Sequence, residues 1–190
     1  TVLHVESNSL EDWTSSAFPQ TAVRNAVRLL APESNVLFDL VNEHNGFVRT
    51  GKAWSDSHTM MQSLMTAARQ ESGSAILTYS SMSAPQGNYA GHILLRDDSV
   101  IAANVDEELA TGISVMAPHL GREPDWYART GLRVTNLKNY MASRGRLIPV
   151  YLQEEQRRGP GYGGDALPKE QFFQAAREAK NAGAAAWLFH

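Results

Sequence analysis

Two short runs of the sequence could do acid/base chemistry. The first is Asn42-Glu43, at the carboxyl end of the largely apolar run Val36-Leu37-Phe38-Asp39-Leu40-Val41. The second is Glu154-Glu155, at the end of Leu147-Ile148-Pro149-Val150-Tyr151-Leu152-Gln153. Apolar runs that stop abruptly at polar groups read as parallel strands covered on both faces, their C-terminal tips opening into a site. Two strands that bring carboxylates to the same end can supply one protonated and one ionised carboxyl group. Neighbouring strand residues point to opposite sides, so only one of Glu154 and Glu155 can face the axis.

The elements that must hold these tips alternate along the chain. A strand over Thr1 to Glu6 is followed by a helix opened by Phe18-Pro19-Gln20, striped with Ala22, Val23, Ala26, Val27, Leu29 and Leu30, and stopped at Pro32. After the Glu43 strand, Ser55-Asp56-Ser57 offers N-caps for a helix running to Gly73. Ala75 to Tyr79 reads as the third strand, leading into Ser80-Ser81-Met82-Ser83. Residues 84 to 112 look irregular, with apolar patches at Ile93-Leu94-Leu95 and Val100 to Ala103 and an acidic turn at Asp106-Glu107-Glu108. A strand over Ile113 to Ala117 ends in Pro118-His119-Leu120-Gly121-Arg122, and a helix from about Gly131 to Ser143 follows. Beyond the Glu154 strand come a glycine-rich loop, Gly159 to Gly164, a helix from Pro168 to Gly183 and a last strand carrying Trp187.

This reading has six strands and four helices in alternation, which implies a parallel sheet with helical crossovers. Polar clusters follow strands, as in a (β/α) barrel or a doubly wound sheet. The doubly wound alternative calls for a glycine-rich phosphate loop after an early strand, and the only glycine cluster comes late, without a Lys-Ser/Thr ending. That cluster reads instead as a flexible loop over the site.

The 190 residues suit one domain, 1–190, and the formal charge of −3 shows no basic excess to favour nucleic acid. No apolar run reaches the roughly 18–20 residues that span a membrane. Cysteine is absent, so disulfides and thiolate metal sites are excluded, and compartment stays open. The chain lacks an initiator Met and both ends read as strand, so a piece of a longer protein is expected.

Leu40-Val41-Asn42-Glu43 resembles the fourth-strand Asn-Glu motif of clan A retaining glycoside hydrolases, the cellulase- and mannanase-like (β/α)8 TIM barrels. Pro149-Val150-Tyr151-Leu152-Gln153-Glu154 resembles their seventh strand, where a proline-led run ends on the nucleophile. In that register the chain runs from strand three into strand eight, an α/β barrel lacking its N-terminal strands. The resemblance implies Glu43 as general acid/base, Glu154 as nucleophile and Asn42 as partner of the sugar 2-hydroxyl. It implies His119 near the nucleophile and Trp187 as a sugar platform, and Arg122, in the loop after His119, could orient the nucleophile or a substrate hydroxyl. The acid Glu155 departs from the family, which often keeps an aromatic or small residue there. An oligo- or polysaccharide substrate follows, with no cofactor or metal, and a second chain or segment would complete the barrel.

Two alternatives stand beside this one. A barrel-derived carbohydrate-binding or scaffold protein would keep the platform without turnover. A metal-dependent hydrolase could gather His4, His44 and His119 from strand ends, although no pair of histidines has i, i+4 spacing. The serine run lacks the Gly-x-Ser-x-Gly elbow, which disfavours a nucleophilic serine.

Overall fold

The computed structural model describes residues 2–4, 17–45, 54–82, 92–95, 97–156 and 167–188. The expected glycine-rich loop Gly159 to Gly164 and the strand end at Glu6 lie outside them. The elements are β1 (Val2–His4), α1 (Ala17–Leu30), β2 (Leu37–Asp39), α2 (Trp54–Glu71), β3 (Ile76–Thr78), β4 (Ser80–Met82), α3 (Ala102–Ala110), β5 (Ala117–His119), α4 (Trp126–Ser143), β6 (Tyr151–Leu152), α5 (Lys169–Asn181) and β7 (Ala186–Trp187).

Every pairing between these strands is parallel, and paired strands are neighbours in the chain. β1-β2-β3, β4-β5 and β6-β7 form three short sheets. β3 and β4 are one run of chain that changes partner at Tyr79, and bridges at Met116–Val150 and His119–Glu154 join β5 to β6. A doubly wound sheet reverses its strand order at a switch point; this order never reverses. The α/β alternation is therefore as expected, but the strands make short parallel pairs rather than a closed barrel.

One side of the strands packs under the helices. Phe38, Leu40, Leu77, Met116, Val150 and Leu152 meet Val23, Val27, Met61, Leu64, Val134, Leu137 and Met141 in a single cluster. Burying each large side chain contributes roughly 1.5–3 kcal/mol. On the other side Val115, Ala117 and Tyr151 cluster, and Leu37 from β2 packs against them. Strands about 4.8 Å apart in a flat sheet would hold Leu37 away from β5 and β6, so this face is concave.

Two helices correct the sequence reading. The acidic turn at Asp106-Glu107-Glu108 is the middle of α3, whose buried face is Val105, Glu108 and Leu109. A carboxylate in the buried stripe hides the helical period. α4 begins at Trp126, five residues before the expected Gly131, and buries Trp126 and Thr130. It runs through Gly131 because α5 comes close there: a Cβ would stand 3.2 Å from the Glu178 carbonyl oxygen. The strand expected over Ile113 to Ala117 is assigned later, at Ala117–His119, although Ser114 N already donates to Leu77 O at 2.7 Å.

Candidate active site

β2 runs out at Asp39, and the chain turns through Asn42, Glu43, His44 and Asn45 above its carboxyl end. Glu43 has φ 49°, a left-handed conformation that costs a non-glycine residue roughly 1–2 kcal/mol. Such strain persists only where the surroundings impose it. Here β4 does so. Glu43 N donates to Ser80 Oγ at 2.9 Å, and Ser80 Oγ donates to Asn42 Oδ1 at 3.3 Å. The Asn45 amide clasps Met82, donating to its carbonyl at 3.1 Å and accepting from its N–H at 2.8 Å. From the other side, His44 Nε2 meets Glu108 Oε1 of α3 at 3.2 Å, and its ring stands edge-on to Tyr79 with centroids 4.7 Å apart.

The second carboxylate is aimed by an irregularity. Between the two bridges, the step from Met116 to His119 on β5 matches the longer step from Val150 to Glu154 on β6. One extra residue is taken up, at Gln153, which is a β-bulge. Bulges re-aim side chains next to sites. A regular strand with Tyr151 on the concave face would also put Gln153 and Glu155 there. The bulge shifts the alternation, so Glu154 joins Tyr151 on the concave side and Glu155 turns to the helices.

The result is a cluster of Glu43, His119 and Glu154, whose ligand atoms all lie within 4.8 Å of one another. His119 Nδ1 is 3.0 Å from Glu43 Oε1 and 3.8 Å from Glu154 Oε2. The Glu43 side chain is 31% exposed and that of Glu154 6%, so one carboxyl is open to solvent and the other enclosed. Arg122 pairs with Glu154 Oε1 and anchors itself by Nε to Glu155 O at 2.7 Å. Its loop is braced from α4 by Arg133, which donates to Gly121 O at 2.9 Å and Glu123 Oε2 at 2.7 Å.

Glu155 has a different fate. Thr130 Oγ1 donates to it at 2.8 Å and Trp187 Nε1 also donates to it. Burial pushes its carboxyl pKa up, against the smaller opposing pull of Trp187, Thr130 and Arg133. A raised carboxyl pKa lends stability that is present below the unfolded-state pKa of roughly 4.3 and lost as pH rises through the folded-state value. The expected result is that wild type loses stability relative to Glu155→Gln as pH rises from 4 to 8, by at most about 1.4 kcal/mol per pH unit. Urea unfolding of both proteins across that range checks it; a gap independent of pH would contradict it.

The structure thus brings Asn42, Glu43, His119, Arg122 and Glu154 to one end of the strands. Trp187 stands apart from them. It pairs in register with Leu152, which faces the helices, and it packs against Trp126 and Phe172. Partners in parallel register share a face, so the indole lies on the helix side, away from the carboxylate pair. Of the three histidines, His44 is tied to Glu108, and the side chain of His4 lies outside the described residues. Glu43, His119 and Glu154 could themselves ligate a cation, but the Arg122 guanidinium already neutralises Glu154. Ser80, Glu108 and Arg133 were not singled out from the sequence. Only Ser80 left a signal, as a polar residue following a strand.

No family model matches the chain, and no curated protein does. Solved structures do. A glucosidase from Croceicoccus marinus superposes with a TM-score of 0.65 at 9% identity, over 93% of this chain and 38% of that one. XacCel5A, solved with cellopentaose, gives 0.59 at 11% identity, over 99% and 62%. A 2,3-dimethylmalate lyase of the PEP mutase/isocitrate lyase superfamily gives 0.53 at 14% identity, over 90% and 55%. This chain spans less than two thirds of each. At such identities the likeness is one of fold, and it is shared by glycosidases and a lyase.

Proposed function

We propose that this chain is part of a (β/α)8-barrel glycoside hydrolase that cleaves a β-linked saccharide with retention. The observation that carries the reading is the carboxylate pair: Glu43 and Glu154 present ligand atoms within 4.8 Å of each other, with His119 beside them. Retaining glycosidases hold their carboxyl groups about 5–5.5 Å apart, whereas inverting ones leave about 6.5–9.5 Å for a water. Consecutive parallel strands, a concave inner face and glycosidase neighbours support the barrel. A further chain or segment supplies the remaining wall.

In this mechanism the enclosed Glu154, oriented by Arg122, attacks the anomeric carbon as carboxylate. The bond to the leaving oxygen breaks while Glu43 gives that oxygen its proton. Glu43, now ionised, takes a proton from water as the water displaces Glu154 from the sugar. The solvent exposure of Glu43 suits a group that must exchange protons with both leaving group and water. Asn42, its Oδ1 held by Ser80, offers its amide N–H to the 2-hydroxyl.

The test is incubation of the chain with 2,4-dinitrophenyl 2-deoxy-2-fluoro-β-glucoside and the mannoside, followed by peptide mass mapping. A covalent adduct on Glu154 is expected. An adduct on Glu155, or product of inverted configuration from an unfluorinated glycoside, would overturn the assignment. Saccharide binding without turnover would favour a carbohydrate-binding barrel.

A further inference from the structure

We infer that Glu108 is a positioning residue for Glu43, acting through His44; the inference rests on Glu43 being the acid/base. Glu108 is the buried carboxylate that disguises α3 in the sequence, and its side chain is 2% exposed. Oε1 meets His44, and Oε2 has no hydrogen-bond partner among the described residues. A half-satisfied carboxylate is a poor way to fill a core, because a leucine would avoid the desolvation. Its position explains what it does.

His44 follows Glu43 directly, and the turn is hinged on β4 through Ser80 and Met82. Those bonds hold the turn from the strand side only. Glu108 closes it from the helix side. A ring of contacts then forms: His44 to Glu108, the Glu108 carbonyl to Thr111 Oγ1 at 2.7 Å, Thr111 Oγ1 to Tyr79 OH at 3.0 Å, and the Tyr79 ring back to His44. Locked between strand and helix, the turn keeps Glu43 at its left-handed φ, with its carboxylate against His119. Without the His44 tether the turn is free to relax to negative φ and carry the carboxylate away from the cluster.

The test compares Glu108→Leu and Glu108→Gln with wild type on phenyl and 2,4-dinitrophenyl β-glucoside and β-mannoside. Departure of dinitrophenolate needs no proton, so a displaced acid harms only the phenyl substrate. For Glu108→Leu, kcat/KM on the phenyl glycoside is expected to fall about 100-fold, and on the dinitrophenyl glycoside by no more than about threefold. Glu108→Gln, which can still bond His44, should recover most of the loss. Equal losses on both substrates, following a drop in Tm, would mean a merely structural role and overturn the inference. If Glu108→Leu does not fold, His44→Leu/Glu108→Leu removes both buried polar groups and carries the same expectation. If wild type cleaves no aryl glycoside, the glycosidase reading fails. The positioning claim is then decided by the ¹⁵N resonances of the His119 ring, which report its bond to Glu43: a shift in Glu108→Leu supports it, and unchanged resonances overturn it.

Discussion

Glu154→Ala is expected to lower kcat on an aryl β-glycoside by about 10⁴–10⁶-fold, in line with loss of a nucleophile that works as part of a unit. That is roughly 5–8 kcal/mol of barrier. The enclosed position of Glu154, paired with Arg122 and near His119, leaves no other described carboxylate able to take its place, since the proposed mechanism assigns Glu43 to the leaving group. Added azide should restore turnover by attacking from the vacated side, giving a glycosyl azide of inverted configuration. The same anion added to Glu43→Ala should give the retained azide, because it then attacks the covalent intermediate. Proton NMR of the anomeric centre separates the two. If Glu155→Ala rather than Glu154→Ala abolished turnover at unchanged stability, the assignment of faces by the bulge would be wrong.

Arg133→Met is expected to cost about 3–5 kcal/mol of stability, the usual penalty for leaving a buried charge unpaired. Arg133 Nε lies 2.6 Å from Asp98 Oδ1 and Nη2 lies 2.7 Å from Glu123 Oε2, with the guanidinium only 3% exposed. Burial opposes its charge, yet its two carboxylate partners outweigh that and hold its pKa above the usual arginine range. Asp98 sits at φ 69° and is shared with Arg129, so one strained residue ties the 97–100 turn to α4. Urea unfolding measures the loss. A double variant with Asp98→Asn should cost less than the sum of the two single changes, since they share an interaction. Activity should fall too, because Gly121 and Glu123 flank Arg122.

The alternation of strands and helices was legible because most helices keep an apolar stripe and most strands a compact apolar run. α3 was not, since Glu108 occupies its buried face for a reason local pattern cannot express. The residues gathered at the site could be picked from the sequence because each follows a strand. Orientation was harder. Trp187 was placed beside the carboxylates by analogy, and its register with Leu152 sends it to the other side. The choice between Glu154 and Glu155 turns on the bulge at Gln153, a pairing mismatch between β5 and β6 that neither run reveals alone. The bond by which Ser80 supports the strained Glu43 turn becomes visible only when β2 and β4 lie side by side.

The strand order has a consequence for biogenesis. Because paired strands are neighbours in the chain and β3 and β4 are one continuous run, the sheets can be laid down in the order in which the ribosome releases them. The Glu43 turn can be latched by Ser80 and Asn45 once β4 has emerged, and by Glu108 one helix later. Glu154 arrives last, after α4. A nascent chain therefore carries the latched Glu43 turn for the interval before Glu154 joins it, and under the proposed mechanism the carboxylate pair is completed in a single late event.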